Sequence, residues 1–134
     1  MPLNTPETID LILAMKTWAV VGLGNNPDRA AYGVAKLLQD KGHRIVPVYP
    51  RAEEVHGETG YKTLSEIPFP VEVVDCFVNS KLVGKVVDEA IAIGAKAVWL
   101  QLDVIDEAAI VRAEAAGLLA VMDRCPAIEY RKRS

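Results

Sequence analysis

Trp18-Ala19-Val20-Val21 is a run of four apolar residues with no polar alternate, and Gly22-Leu23-Gly24 follows it at once. A strand with one wet face alternates apolar and polar side chains, so a continuously apolar strand must be covered on both faces, inside a sheet. Comparable runs recur at Arg44–Val48, Val71–Val78, Ala97–Leu100 and Leu118–Met122, with helical patterns between them. This alternation predicts an α/β fold: a Rossmann-like three-layer sandwich, with helices on both faces of a mostly parallel sheet of five or slightly more strands.

The helix signals agree with that order. Thr5 can cap a helix that has Pro6 in its first position and runs to about Met15. Val34, Leu37 and Leu38 share one face of Ala30–Asp40, and Lys41-Gly42 stops it. Ser80 can cap a helix through Ile93, ended by Gly94; Asp106 to Ala116 is a helix ended by Gly117; Pro126 to Arg133 closes the chain as a short helix. Pro47 lacks an amide donor, which predicts an irregular strand end or an exposed ladder position there. Residues 49–70 hold at most a short extended piece at Val55 and one helical turn at Leu64-Ser65-Glu66, which makes the segment a functional loop candidate.

With 134 residues the chain suits one domain, 1–134, and leaves no room for a second catalytic one. A net charge of −3 argues against binding duplex nucleic acid, and the one basic cluster, Arg131-Lys132-Arg133, reads as a solvated helix end. No apolar run approaches the ~20 residues needed to cross a bilayer, and no cleavable leader is indicated, so a cytoplasmic location is expected. Cys76 and Cys125 lack metal-ligand spacing with each other or with His43 and His56, and both read as reduced thiols. A homodimer through apolar faces of outer helices is compatible with the composition.

Open α/β sheets bind ligands where the strands end, so the segments just after strands are the candidates. Gly22-Leu23-Gly24-Asn25-Asn26 can bring backbone amides and a helix N-terminus to a phosphate; the alternative is a tight turn needing positive φ. Pro27 stands in the third glycine's place of GxGxxG, so the fingerprint is partial. After strand two comes Val48-Tyr49-Pro50-Arg51, without the acid that holds an NAD ribose; Arg51 instead suits a ribose phosphate, as in coenzyme A or NADP, or is a solvated loop residue. Glu53 and Glu54 remain open as ribose partners. Phe77-Val78-Asn79-Ser80-Lys81 could hold adenine or pantetheine, and Gln101-Leu102-Asp103 could line the same cleft or merely connect strand and helix. Asp123-Arg124-Cys125-Pro126 offers one thiol near a helix start, reactive or simply buried. His43 precedes strand two, at the wrong edge for catalysis, and His56 reads as a surface residue. No Ser-His-Asp set, carboxylate pair or metal cluster is visible among these segments, and no residue is assigned as catalytic.

Taken in order, several segments resemble the CoA-binding-domain family of small bacterial and archaeal proteins, related to the amino-terminal domain of the succinyl-CoA synthetase alpha subunit. The residues that carry this are Ala19-Val20-Val21-Gly22-Leu23-Gly24, Asn26-Pro27-Asp28-Arg29, Tyr32-Gly33-Val34, Ile45-Val46-Pro47-Val48-Tyr49-Pro50, Val74-Asp75-Cys76-Phe77, Gly94-Ala95-Lys96, Val98-Trp99-Leu100-Gln101 and Met122-Asp123-Arg124-Cys125. The resemblance spans essentially the whole chain. It implies CoA lying across the strand ends, its phosphates near Gly22 to Asn26 and its adenosine near Tyr49, Pro50 and Arg51. Phe77, Val78, Asn79, Lys81 and Gln101 would line the cleft, with Arg29, Tyr32 and Gly33 from the first βα unit. Gly24 stands where many relatives carry Ser or Thr, and Val78 where close relatives often have Arg. The synthetase's phosphohistidine lies in another domain, so its ligase activity is not carried over. The expectation is non-catalytic binding of CoA or an acyl-CoA; the alternative is an NAD(P)-binding protein or small oxidoreductase. A mixed disulfide between Cys125 and CoA is a third reading, resting on one thiol.

Overall fold

The structure, a computed structural model, describes residues 3–134. Its strands are β1 (Thr17–Val21), β2 (Arg44–Val48), β3 (Val73–Cys76), β4 (Ala97–Leu100) and β5 (Leu119–Val121). They form one sheet in the order β2-β1-β3-β4-β5, parallel throughout. The helices are α1 (Pro6–Leu13), α2 (Ala30–Asp40), α3 (Val83–Ala92), α4 (Glu107–Ala115) and α5 (Pro126–Lys132), and Leu64–Glu66 forms a single 3-10 turn.

Side chains alternate across each strand, which is how one sheet serves two cores. Trp18, Val20, Val73, Trp99 and Val121 face a core closed by α1, α2 and α5. Ala19, Val46, Val74, Val98 and Ala120 face the opposite core, closed by α3 and α4. The two-faced burial read from the apolar runs is therefore met, and the α/β Rossmann-like expectation holds.

Several local expectations are met in detail. Thr5 caps α1, its side-chain oxygen accepting the Thr8 amide at 3.2 Å. Asp106 caps α4 by accepting the Ala109 amide at 3.0 Å. Pro47 lies on the edge strand, where its carbonyl points outward and accepts the Tyr61 amide at 3.0 Å. A residue's N–H and C=O leave a strand on the same side, so the missing donor also faces outward and the β1–β2 ladder loses nothing.

Other boundaries move. Strand three spans Val73–Cys76 rather than Val71–Val78; Phe77 still donates to Val21 O at 2.8 Å, and the ladder to β1 ends with that bond. Ser80 does not cap α3, which starts at Val83. The Asn79 carboxamide oxygen takes the amides of Lys81 and Leu82, at 2.9 and 3.1 Å. Ser80 instead ties two loops, donating to Asp103 O at 3.3 Å and accepting from the Ile105 amide at 2.9 Å.

Asp75 is an anomaly inside β3. It is wholly buried, and neither carboxyl oxygen has a hydrogen-bond partner among the described residues. Burial raises its pKa well above the ordinary carboxylate range.

Candidate functional site

In the order β2-β1-β3, chain direction after β1 diverges from that after β3, and a crevice opens above the carboxyl ends between them. Gly22 sits at this point. It donates to Val48 O at 2.8 Å, has φ of +100°, and a Cβ added to it would lie 2.4 Å from Phe77 O. Only glycine lets the exits of β1 and β3 approach so closely. The tight turn with positive φ expected as the alternative at this glycine is what the geometry shows.

The next glycine is crowded differently. A Cβ on Gly24 would meet Glu53 Oε1 at 2.9 Å and the Tyr49 ring at 3.1 Å. Glu53 is there because it accepts the Asn25 backbone amide at 2.8 Å. Its carboxylate thus rests on the turn expected to hold a phosphate. The sequence showed no acid directly after strand two; the loop nevertheless returns one, five residues beyond the end of β2, to the glycine turn.

Helix α2 begins beside this turn. Its N-cap is Arg29, whose side chain makes no capping hydrogen bond; the Tyr32 amide is taken by Arg29 O at 3.1 Å, and Ala30 and Ala31 ahead of it line the crevice without a side-chain acceptor for their amides. An anion placed here would meet those donors and the positive end of the helix.

Three cavities meet around Gly22 and Arg29. The largest, about 570 Å³, lies over the ends of β2, β1 and β3, floored by Val21, Val48 and Phe77 and walled by Tyr49, Pro50 and Val78. A polar one of about 340 Å³ lies along the turn, lined by Asn25, Asn26, Arg51 and Glu53. A third, of about 320 Å³, continues past Phe77 and Val78 to Gln101, Leu102 and Val104. Asn79, Leu82, Lys62, Lys85 and Glu89 are among the residues at the rim of the first.

Charge is concentrated at this opening. Arg29, Arg51, Lys62 and Lys85 all line the cavities, and none of the four takes part in an ion pair among the described residues. Against these four cations the cavities are lined by two carboxylates, Glu53 and Glu89, so on a chain of net charge −3 the crevice still carries a local excess of positive charge.

Most of the candidate residues are brought together here: Gly22, Gly24, Asn25, Asn26, Arg29, Tyr49, Pro50, Arg51, Phe77, Val78, Asn79 and Gln101 all line the crevice. Leu23 has its side chain fully buried in the core under α2, leaving only its backbone at the turn. Tyr32, Gly33 and Lys81 line none of the three cavities. Tyr32 packs on His56, ring centroids 4.3 Å apart, and its carbonyl bonds His56 Nε2 at 2.8 Å. His56 is thus a half-buried tie between loop and helix rather than a surface residue. His43 is buried at the opposite end of the sheet, bonded to Met15 O and the Tyr130 hydroxyl, and burial lowers its pKa. Cys125 is a buried thiol at the start of α5. No cluster of three or more metal-ligating side chains occurs among the described residues.

Lys62, Lys85, Leu82 and Val104 were not singled out by the sequence. Lys62 comes from the loop marked as functional, but nothing in its neighbours distinguishes it from a solvated lysine. Lys85 follows only once the start of α3 is known.

A parallel sheet with a glycine turn, a helix N-terminus and a crevice at the carboxyl ends defines a Rossmann-like α/β domain. The family described as CoA binding domain matches residues 16–131, and the chain belongs to it. It is 33% identical over 119 residues to the uncharacterized protein YneT of Bacillus subtilis, covering 89% of this chain and 88% of that one. It is 37% identical over 81 residues to the alpha subunit of an ADP-forming acetate–CoA ligase II of Pyrococcus furiosus; the match covers 60% of this chain but 18% of the ligase subunit. The structure of a hypothetical protein from Pyrococcus horikoshii superposes with a TM-score of 0.91 at 38% identity, covering 98% and 96% of the two chains. No described helix is long and apolar enough to cross a membrane.

Proposed function

We propose that this chain binds coenzyme A or an acyl-CoA across the carboxyl ends of its strands, without chemistry of its own. The observation that carries the reading is the convergence of four unpaired cations and the open amides of α2 on an apolar-floored crevice. CoA is a molecule of that pattern: three phosphates toward one end and a long, weakly polar arm toward the other. Phosphates take the Gly22–Asn26 turn and Arg29, adenosine lies by Tyr49 and Pro50 with Arg51 on its ribose phosphate, and the pantetheine arm crosses Phe77 and Val78. The matching segment of an acetate–CoA ligase subunit supports the same ligand. The reading also assigns the protein to the cytoplasm, where Cys76 and Cys125 remain reduced.

A nicotinamide dinucleotide is the second reading, and Glu53 is what favours it, since a carboxylate beside the glycine turn is suited to ribose hydroxyls. Calorimetric titration with CoA, acetyl-CoA, NAD and NADP separates the two. Saturable binding of CoA with NAD silent is expected; NAD binding with CoA silent overturns the proposal.

A further inference from the structure

The cavity at the β4 end is continuous with the crevice, since Gly22, Arg29, Phe77 and Val78 line both it and the large cavity over β1 and β2. Its own walls differ in chemistry. Leu102 and Val104 enclose it with Ala30 and Ala31, and Arg29 is its single charged lining residue. Gln101 reaches into it while only 7% exposed, and its Oε1 is buried with no hydrogen-bond partner among the described residues. An acceptor so enclosed is costly unless a donor arrives to meet it.

Resting on the CoA reading above, the order of the strands fixes which part of the ligand arrives. Adenosine at the end of β2 and phosphates at β1 leave the arm to run on over β3 to β4, two inter-strand steps of about 4.8 Å, or about 10 Å in all. The arm's far end carries an amide N–H and then the sulfur. We infer that the cavity over β4 is an acyl site: Gln101 Oε1 accepts the last pantetheine amide, and Leu102 and Val104 cover an unbranched, uncharged acyl chain.

The rim extends this surface. Leu82, which lines the large cavity, and Leu102, which lines this one, are 52% and 45% exposed, and Ile105, 47% exposed, follows on the Leu102 loop. They stand on the two loops that Ser80 ties together, so the rim is a braced surface. A chain longer than the cavity continues along it. The ligand class is therefore short to medium saturated acyl-CoA, in preference to free CoA and to esters carrying a second carboxylate: Arg29, the cavity's one charged lining residue, is given to the phosphates in this reading, and a second carboxylate would meet only apolar walls and an acceptor oxygen.

The test is calorimetric titration of the full chain with CoA, acetyl-CoA, butanoyl-CoA, hexanoyl-CoA and succinyl-CoA. Complete burial of a methylene corresponds to about a fourfold gain in affinity, and an open-sided site to about twofold, so Kd is expected to fall about two- to fourfold per added methylene. Succinyl-CoA is expected to bind more weakly than butanoyl-CoA. Leu102→Ser is expected to flatten the series, whereas Leu11→Ser, at an exposed leucine of α1 outside the cleft, leaves it unchanged. Gln101→Leu is expected to weaken every member by a similar factor, because the amide it faces is common to all. If CoA binds and the series is flat, the acyl site is refuted while the CoA reading stands. If none of the thioesters nor CoA binds, both fall.

Discussion

Glu53 Oε1 accepts the Asn25 amide proton at 2.8 Å, so the glycine turn already holds an anion supplied by its own chain. A ligand phosphate bound at the same amide has to displace that carboxylate, and it gains back only the difference between two charge-assisted hydrogen bonds. Glu53→Ala is therefore expected to tighten CoA about three- to tenfold in calorimetric titration. A loss of affinity would show instead that the carboxylate holds ligand hydroxyls.

Arg51 lines the polar cavity and has no ion-pair partner among the described residues. Its proposed partner is the ribose phosphate, which dephospho-CoA lacks. Arg51→Ala should weaken CoA about tenfold and dephospho-CoA less than about twofold, and the CoA loss should shrink as salt is added. Equal losses for both ligands would remove Arg51 from that role.

Gly22 combines φ of +100° with a Cβ position 2.4 Å from Phe77 O. Backbone strain of about 1–2 kcal/mol adds to a clash that neither strand exit can relieve without parting β1 from β3. Gly22→Ala is expected to lower Tm by about 5–10 °C in thermal denaturation. Gly33→Ala is the contrasting case, because nothing lies within 4 Å of the added methyl and it removes a helix-interior glycine. It should raise stability by about 0.5–1 kcal/mol.

Asp75 gives the protein a pH-dependent stability term of known sign. Its folded pKa lies well above the ordinary 3.8, so between that value and the raised one the unfolded chain ionises while the folded chain holds its proton. Stability from this group is fully present below about pH 4 and declines as pH rises. Asp75→Asn removes the slope, so the difference in unfolding free energy between variant and wild type should grow in the variant's favour from pH 4 to pH 7. A constant difference across that range would show that Asp75 is ionised in the fold.

The sheet was legible because Trp18–Val21, Val46, Val98 and their neighbours have no polar side chain to put in water, and α2 and β4 fall where the pattern placed them. The start of α3 was not, because Asn79 and Ser80 are equally good caps and only the position of the 103–105 loop decides which hydroxyl or amide is free to act. In the site, glycines and strand ends announced themselves through local geometry. Glu53 was harder: its place at the turn depends on how residues 49–61 fold back, including Ala52 at φ of +50° and Gly60 packed where a Cβ would lie 2.1 Å from Glu53 O. Such long-range closure leaves no periodic trace in a sequence.

Helix α2 starts without a side-chain cap. Under the CoA reading, the Ala30 and Ala31 amides, ahead of the Tyr32 amide that Arg29 O accepts, are satisfied by something the polypeptide does not contain, so the helix start is completed by a metabolite. Its fraying then depends on metabolite concentration, and the free energy of unfolding rises by RT ln(1 + [L]/Kd) as the ligand pool fills. A domain built this way carries a record of that pool in its own stability, readable as slower amide exchange along Ala30–Asp40.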